Sequence, residues 1–283
     1  ELGLHISVDY AVVPDKEISE SVNSGAVQIV GGSVTAFADM WATQSGKYKK
    51  NIKALAGLSA FPYIMTTSNP NVKSLKDFTK EDRIAISEKE RSLASQILLM
   101  AEEKVFGTGP DHKINDKLKD RLVSMTPDDG MRMLVAQKNG ITAHFVAPPR
   151  AYHELTRKNI HSVFNSETLL GPNATSEMVF TSVNFYQNNP KIIKAFKLAL
   201  SDAIAFIQHE NMSAISIYRK LAVDAMPVDL LQRVLSDPKI KYTTEMNNVM
   251  RMIEFRYKVG LIKDKPKNAK EVFFEEAAVK NPS

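Results

Sequence analysis

The chain has 283 residues, a formal net charge of +5 and no cysteine. Apolar residues make up 43% and charged residues 24%, which fits a globular protein and argues against a disordered, collagenous or coiled-coil chain. This length predicts about two domains with enough core to need no staples, and zero cysteines exclude disulfides, cysteine-ligated zinc, iron–sulfur clusters and thiol nucleophiles.

Charge and hydropathy narrow the partners. No run approaches the ~18 apolar residues of a membrane span. The strongest stretch, Ile192 to Ile207, is broken by Lys194, Lys197, Ser201 and Asp202 and predicts an amphipathic helix. Basic residues gather weakly at Lys47 to Lys53 and at Lys263 to Lys270. Neither has the regular aromatic interleaving of a nucleic-acid surface, so both are expected to be solvated faces and no nucleic acid is expected as a partner. Glu1 to Leu4 lacks the basic and apolar regions of a signal peptide and reads like the interior of a fold. Residues ahead of Glu1 are therefore expected.

In chain order, His5 to Val13 is β-rich, and Pro14-Asp15 opens a short helix with Ile18 and Val22 on one face and Gly25 as its stop. Ala26 to Val30 predicts a strand covered on both faces, broken by Gly31-Gly32. Ser33 then caps a helix carrying Val34, Phe37, Ala38 and Trp41 at core spacing, with Trp41 expected in the core. Ile52 to Thr67 is a buried strand region. Arg83 to Ser87 is a short strand, followed by a helix from Arg91 to Phe106. Leu122 to Met125 is the next strand. Thr126-Pro127-Asp128-Asp129 has the cap, N1 proline and acids of a helix start, for a helix running to Asn139. Ile141 to Val146 is a strand closed by Pro148-Pro149. This alternation over residues 5 to 150 predicts α/β architecture with parallel sheets.

The last hundred residues predict helices. Asn189-Pro190 opens one with Ile192, Phe196, Leu200, Ala203 and Ile207 on one face. Ile215 to Leu221, Val228 to Leu235 and Glu245 to Val259 follow.

No phosphate loop, H-E-x-x-H, G-x-S-x-G or G-x-G-x-x-G motif occurs. No two of the six histidines are three or four residues apart, so no metal site and no cofactor are expected. What remains is a set of strand-to-helix turns. Val30 to Thr35 offers glycines, hydroxyls and a helix N-terminus, a seat for an anion or polar ligand or simply a βα turn. Ser87 to Ser92 adds two hydroxyls and Arg91. Arg91 either holds an anionic head group or pairs with Glu88 or Glu90. Thr126-Pro127 is the third turn. Ligands of open α/β sheets bind beyond the carboxyl ends of strands, so three such turns in two successive blocks point to a cleft between lobes. In Phe61-Pro62-Tyr63, one ring is expected in the core and the other on a binding wall. His144 is either a hydrogen-bonded core histidine or ligand-facing.

Several segments taken in order resemble one family. They are Gly25-Ala26-Val27-Gln28-Ile29-Val30-Gly31-Gly32-Ser33; Leu58 to Tyr63 with Asn69 to Phe78; Gly140 to Pro149; Asn189-Pro190; and Gly260 through Lys265-Pro266 to Phe273-Phe274. Together they span nearly the whole chain, and the sequence resembles the nitrate/sulfonate/taurine type of periplasmic solute-binding protein that serves ABC importers.

That resemblance implies an α/β, two-lobed periplasmic-binding-protein-like (type II) fold with a ligand cleft between lobes. It places residues 1–82 and 177–283 in a discontinuous first lobe and 83–176 in a second, with Met178-Val179-Phe180 on the returning crossover. It implies a binding protein rather than an enzyme: a monomer, periplasmic or exported and membrane-tethered, that closes on a small solute and delivers it to ABC permease subunits. By position, the ligand-binding residues would be Gly32, Ser33, Thr35, Ser59, Phe61, Ser87, Arg91, Ser92, Ala147 and Pro148, with His144 nearby. Two features depart from the family pattern: Thr142-Ala143 stands where Asp-Ala is usual, and the Ser87 turn lacks a glycine and carries Glu88 and Glu90. The alternative is an enzyme related to thiamine-pyrimidine synthesis. Those enzymes carry a cysteine-rich segment, which this chain lacks.

Overall fold

The computed structural model describes residues 7–13, 15–44, 51–109, 113–222 and 226–275. Residues 1–4, His5 and Ile6 of the expected first strand, Pro14 of the expected helix start and residues 47–50 of the first basic cluster lie outside them. The chain divides into two compact units, Glu1–Ala60 with Thr175–His209 and Tyr242–Ser283, and Phe61–Ala174 with Glu210–Lys241.

In the first unit, α1 (Asp15–Asn23) leads to β1 (Ile29–Ser33) and α2 (Val34–Thr43), then β2 (Ile52–Ala60). The chain returns to this unit with β8 (Thr175–Ser182), α7 (Val183–Asn188) and α8 (Pro190–His209), and again with β9 (Lys241–Tyr242) and α11 (Val249–Lys258). The sheet order is β1-β8-β2-β9. β8 runs antiparallel to both β1 and β2, because the returning strand enters between two strands of the opposite direction. The expected all-parallel arrangement is thus overturned here.

Two further expectations change. Gly31-Gly32 does not break the strand, since both residues pair with Val179 and Met178 inside the ladder. Ser7 to Val13 forms no strand, and Val8, Tyr10 and Val12 are exposed. One face of the sheet takes α2, whose Phe37 meets Phe180 at 5.4 Å between ring centroids. Trp41 is buried as expected, its indole N–H donating to the Glu271 carbonyl at 3.3 Å. A second cluster joins Leu55, Val179, Ile193 and Phe274 with Phe196 and Leu200 of α8. In α8 the one buried side chain is Ile193, and Ala203 of the expected face is exposed.

Gly57 has a specific packing role. A Cβ on it would lie 2.2 Å from the Glu245 carbonyl oxygen and 2.8 Å from that of Thr243. Only glycine lets the 243–245 segment pair so closely with β2, where Gly57 N–H donates to the Thr244 carbonyl at 2.9 Å.

The second unit holds β3 (Ile64–Thr67), β4 (Ile84–Ile86), α3 (Leu93–Phe106), β5 (Leu122–Ser124), α4 (Pro127–Ala136), β6 (Ala143–Val146), α5 (Arg150–Glu154), β7 (His161–Asn165) and α6 (Glu167–Leu170). Its sheet order is β5-β4-β6-β3-β7. β4 is parallel to β5 and β6, as the βα alternation requires, and β3 is antiparallel to β6 and β7. α9 (Asn211–Ala222) and α10 (Val228–Ser236) also belong here. Ile215, Met226, Leu230 and Leu231 pack with Met131 of α4 and Tyr152 of α5.

These pairings move the unit boundaries away from those expected. The region Ile52 to Thr67 is two strands in two different sheets, and the chain changes unit at Ala60/Phe61 rather than near Asp82. β3 is buried throughout and takes its hydrogen bonds from β6 and β7, which fixes it in the second unit. The return at Ala174/Thr175 lies close to Glu177, and Met178-Val179-Phe180 does lie on the returning strand. Residues 210–241 form an excursion into the second unit that the sequence did not predict. No helix among the described residues is long and apolar enough to cross a membrane.

Candidate functional site

In the second unit, parallel pairing brings three strand ends to one edge of the sheet. Ile86 of β4 pairs with Ser124 of β5, and Ala85 with His144 of β6. The turns that follow, at Ser87, Thr126 and Ala147, therefore open side by side. Because β3 is antiparallel to β6, with Ile64 opposite Val146, its preceding segment Phe61-Pro62-Tyr63 lies at the same edge. The end of β7 joins it, with Ser166 Oγ accepting from Tyr63 N–H at 2.9 Å.

Local sequence explains each turn. Ser92 caps α3, its Oγ accepting from Ser95 N–H at 3.1 Å and donating to the Glu88 carbonyl at 2.8 Å. α3 thus starts at Leu93, two residues later than expected, and has no acid in its first turn. Arg91 and Ser87 are exposed. Thr126 caps α4, accepting from Asp129 N–H at 3.1 Å. The Thr126 hydroxyl, then Arg132, hold the Asp129 carboxyl below its ordinary range. Ala147 and Pro148 are half-buried before a cis Pro148-Pro149 bond. Phe61 stands at the half-buried end of an aromatic ladder through Tyr63 and Phe145 to Phe164, with steps of 6.0, 5.7 and 5.8 Å.

Arg150 was missed by sequence reasoning. It opens α5, and its Nε donates to Asp128 Oδ1 at 2.9 Å and Nη2 to Oδ2 at 3.4 Å. Burial alone would lower its pKa, but bonds to Asp128 and the neighbouring Tyr218 raise it, so the charge is held. The available signal was its position directly after Pro148-Pro149.

His144 takes its core alternative. It is 1% exposed, with Nδ1 2.6 Å from Glu154 Oε1, and Glu154 Oε2 accepts from Thr66 Oγ1 at 2.6 Å. Its Nε2 side faces Gly130 of α4, where an added Cβ would sit 2.6 Å away.

In the first unit, Gly32, Ser33, Thr35 and Ser59 come together at one end of the sheet. Ser33 caps α2, its Oγ accepting from Ala36 N–H at 3.1 Å and bonding Thr35 Oγ1 at 2.9 Å. Ser33 pairs with Glu177 of β8, and Ser59 pairs with the same Glu177 from the other side. Gly32 lies one step behind, opposite Met178. Glu177 was expected only as a lobe boundary. Glu177 is half-buried and stands in the ladder between two of the expected ligand-binding residues. No group of three or more metal-ligating side chains occurs among the described residues.

No protein-family model matches the chain, and no curated protein matches it in sequence. Solved structures do match in fold. The periplasmic aliphatic sulphonate-binding protein SsuA of Escherichia coli superposes with a TM-score of 0.70 at 15% identity, over 92% of this chain and 80% of its own. The alkanesulfonate-binding protein SsuA of Xanthomonas axonopodis pv. citri, bound to MOPS, gives 0.63 at 14% identity, over 90% and 83%. The Candida albicans CA3427 gene product, described as having the generic periplasmic binding protein fold, gives 0.63 at 16% identity, over 92% and 82%. The two α/β units of this chain thus form the two-lobed fold of the periplasmic binding proteins.

Proposed function

We propose that this chain is the substrate-binding component of an ABC-type importer. It captures a small organic solute with a sulfonate- or carboxylate-like group and delivers it to membrane permease subunits, from the periplasm or from a membrane tether. The observation that carries this reading is the fold likeness to sulfonate-binding proteins over nine-tenths of the chain. The strand-end turns of the second unit support it: the α3 N-terminus carries Ser92 and no first-turn acid, and so favours a negative group. Capture by lobe closure is part of the same proposal, since a solute that engages both lobes favours the closed state by its differential affinity. The work is binding, with no bond made or broken.

The test is native mass spectrometry of the purified protein, followed by a thermal-shift screen of alkanesulfonates, aminoalkanesulfonates and short carboxylates. A ligand that binds only the folded state stabilises it by about 2.7 kcal/mol at a hundredfold excess over Kd. A saturable rise in Tm with at least one such solute is expected. An apo mass and no shift across the screen would overturn the reading.

A further inference from the structure

The two basic clusters are separated in sequence by most of the chain, and in the first unit the fold joins them. Ala54 of β2 exchanges backbone bonds with the 272–274 segment, its N–H donating to the Val272 carbonyl at 2.7 Å and its carbonyl accepting from Phe274 N–H at 3.2 Å. That pairing brings Lys53 beside Lys270, whose carbonyl accepts from Lys53 Nζ at 2.7 Å. At the other end of the second cluster, Lys265 Nζ stands 5.2 Å from the ring centroid of Tyr257, an exposed residue in the last turn of α11.

Between these two contacts the chain forms a fixed strap. Ile262, Pro266 and Val272 to Phe274 are buried, so they hold it down while Lys263, Lys265, Lys267 and Lys270 stay exposed. None of these four, nor Lys53, forms an ion pair with a carboxylate among the described residues. The two acids of the strap accept from its own backbone: Asp264 Oδ1 from Lys265 N–H and Glu271 Oε2 from Lys267 N–H, both at 3.0 Å. Exposed Glu254 of α11 lies within one helical turn of Arg251 and of Lys258, which offset it. The face is therefore positive, with an aromatic ring at its edge.

The residue types point to the partner. Lysine is a hydrated point charge on a flexible stem and lacks the planar fork that reads one placed carboxylate or phosphate. A row of lysines suits a diffuse field of many negative groups, such as an anionic lipid surface. Tyrosine has the apolar body and polar tip that settle at headgroup level. We propose that Lys53, Lys263, Lys265, Lys267, Lys270 and Tyr257 form a face that docks the protein on anionic phospholipid headgroups. Docking is peripheral, reversible and weakened by salt, because the charges remain exposed to screening. It goes beyond the importer reading and does not depend on which solute is bound.

The experiment is cosedimentation with vesicles of phosphatidylcholine alone and of equal parts phosphatidylcholine and phosphatidylglycerol. The wild-type protein should partition at least about tenfold more strongly to the anionic vesicles, and raised salt should reverse this. A lysine near such a surface adds about fivefold, so Lys265→Gln with Lys267→Gln should cut partitioning about tenfold or more. Its Tm should stay within a few degrees of wild type, since both side chains are exposed. Lys113→Gln with Lys117→Gln removes the same charge from exposed positions of the second unit and should change partitioning less than about twofold. Equal partitioning to both kinds of vesicle would overturn the proposal. So would an equal loss in the two double variants, which would make the effect one of net charge. Equally strong binding to duplex DNA, lost in the same strap variant, would mark a general polyanion surface and overturn the lipid assignment.

Discussion

Arg150 and Asp128 tie together two turns that the sequence separates by some twenty residues, with Arg150 Nε 2.9 Å from Asp128 Oδ1 and Nη2 3.4 Å from Oδ2. Asp128 lies in the first turn of α4, where its charge suits the helix dipole, and Arg150 opens α5 beside Ala147 and Pro148. The pair holds two of the second unit's strand-end turns in fixed register.

Arg150→Lys keeps the charge but loses the planar fork, so it should loosen that register. Asp128 is mostly exposed, and the stability cost should stay below about 1 kcal/mol. Affinity for an identified solute should fall more than stability does. Calorimetry alongside urea unfolding checks this, and a loss of stability with unchanged affinity would make the pair purely structural.

Gly130→Ala puts a methyl group 2.6 Å from His144 Nε2. Alanine improves helix propensity by about 1 kcal/mol, but overpacking a buried ring typically costs about 1–3 kcal/mol. His144 is clamped between Glu154 and β3, so it has little room to move. A net loss in the urea midpoint is expected. A gain would mean that the ring shifts freely.

Gly57→Ala meets backbone rather than a flexible side chain, at 2.2 Å from the Glu245 carbonyl oxygen. The 243–245 segment must detach from β2 or the strand must bend. The loss should exceed that of Gly130→Ala, and amide exchange should rise at Gly57 and Thr243.

Ser33→Ala removes the cap of α2 and should cost about 1 kcal/mol. Binding lost on substituting Ser33 therefore has to be compared with the same protein's Tm, because the residue serves the helix as well as the candidate site. Ser33→Asp, which also caps, should restore stability but not solute affinity.

Glu102 gives a pH dependence. Burial, then the nearby Asp116, pushes its carboxyl up to about 8 from an ordinary 4.5, while its Oε1 accepts from Leu118 N–H at 2.7 Å. The folded state binds this proton more tightly than the unfolded state. Its contribution to stability is therefore complete below about pH 4.5 and is lost progressively as pH rises to about 8, with a total on the order of a few kcal/mol. Glu102→Gln should flatten the Tm profile across that window. An unchanged slope would mean that Glu102 is already ionised in the fold.

Much of this protein is set by local sequence. Ser33, Ser92 and Thr126 cap the helices their spacing predicts, because a cap depends on a hydroxyl and the next three residues. Trp41 and Phe37 fall in the core because a 3.6-residue period fixes which face is apolar. The parallel trio β4, β5 and β6 follows from βα alternation, and it is what brings the turns at Ser87, Thr126 and Ala147 to one edge.

Long-range pairing decided the rest. An apolar run from Ile52 to Thr67 carries no mark that it splits at Phe61 into strands of two sheets, since both halves are buried alike. Nor does local sequence reveal that β8 enters antiparallel between β1 and β2, which alone sets Glu177 between Ser33 and Ser59. His144 and Arg150 make the same point. Their neighbours in sequence are apolar, and their roles come from Glu154 and Asp128, ten and twenty-two residues away, which only the packing of α5 against β6 and α4 brings within bonding distance.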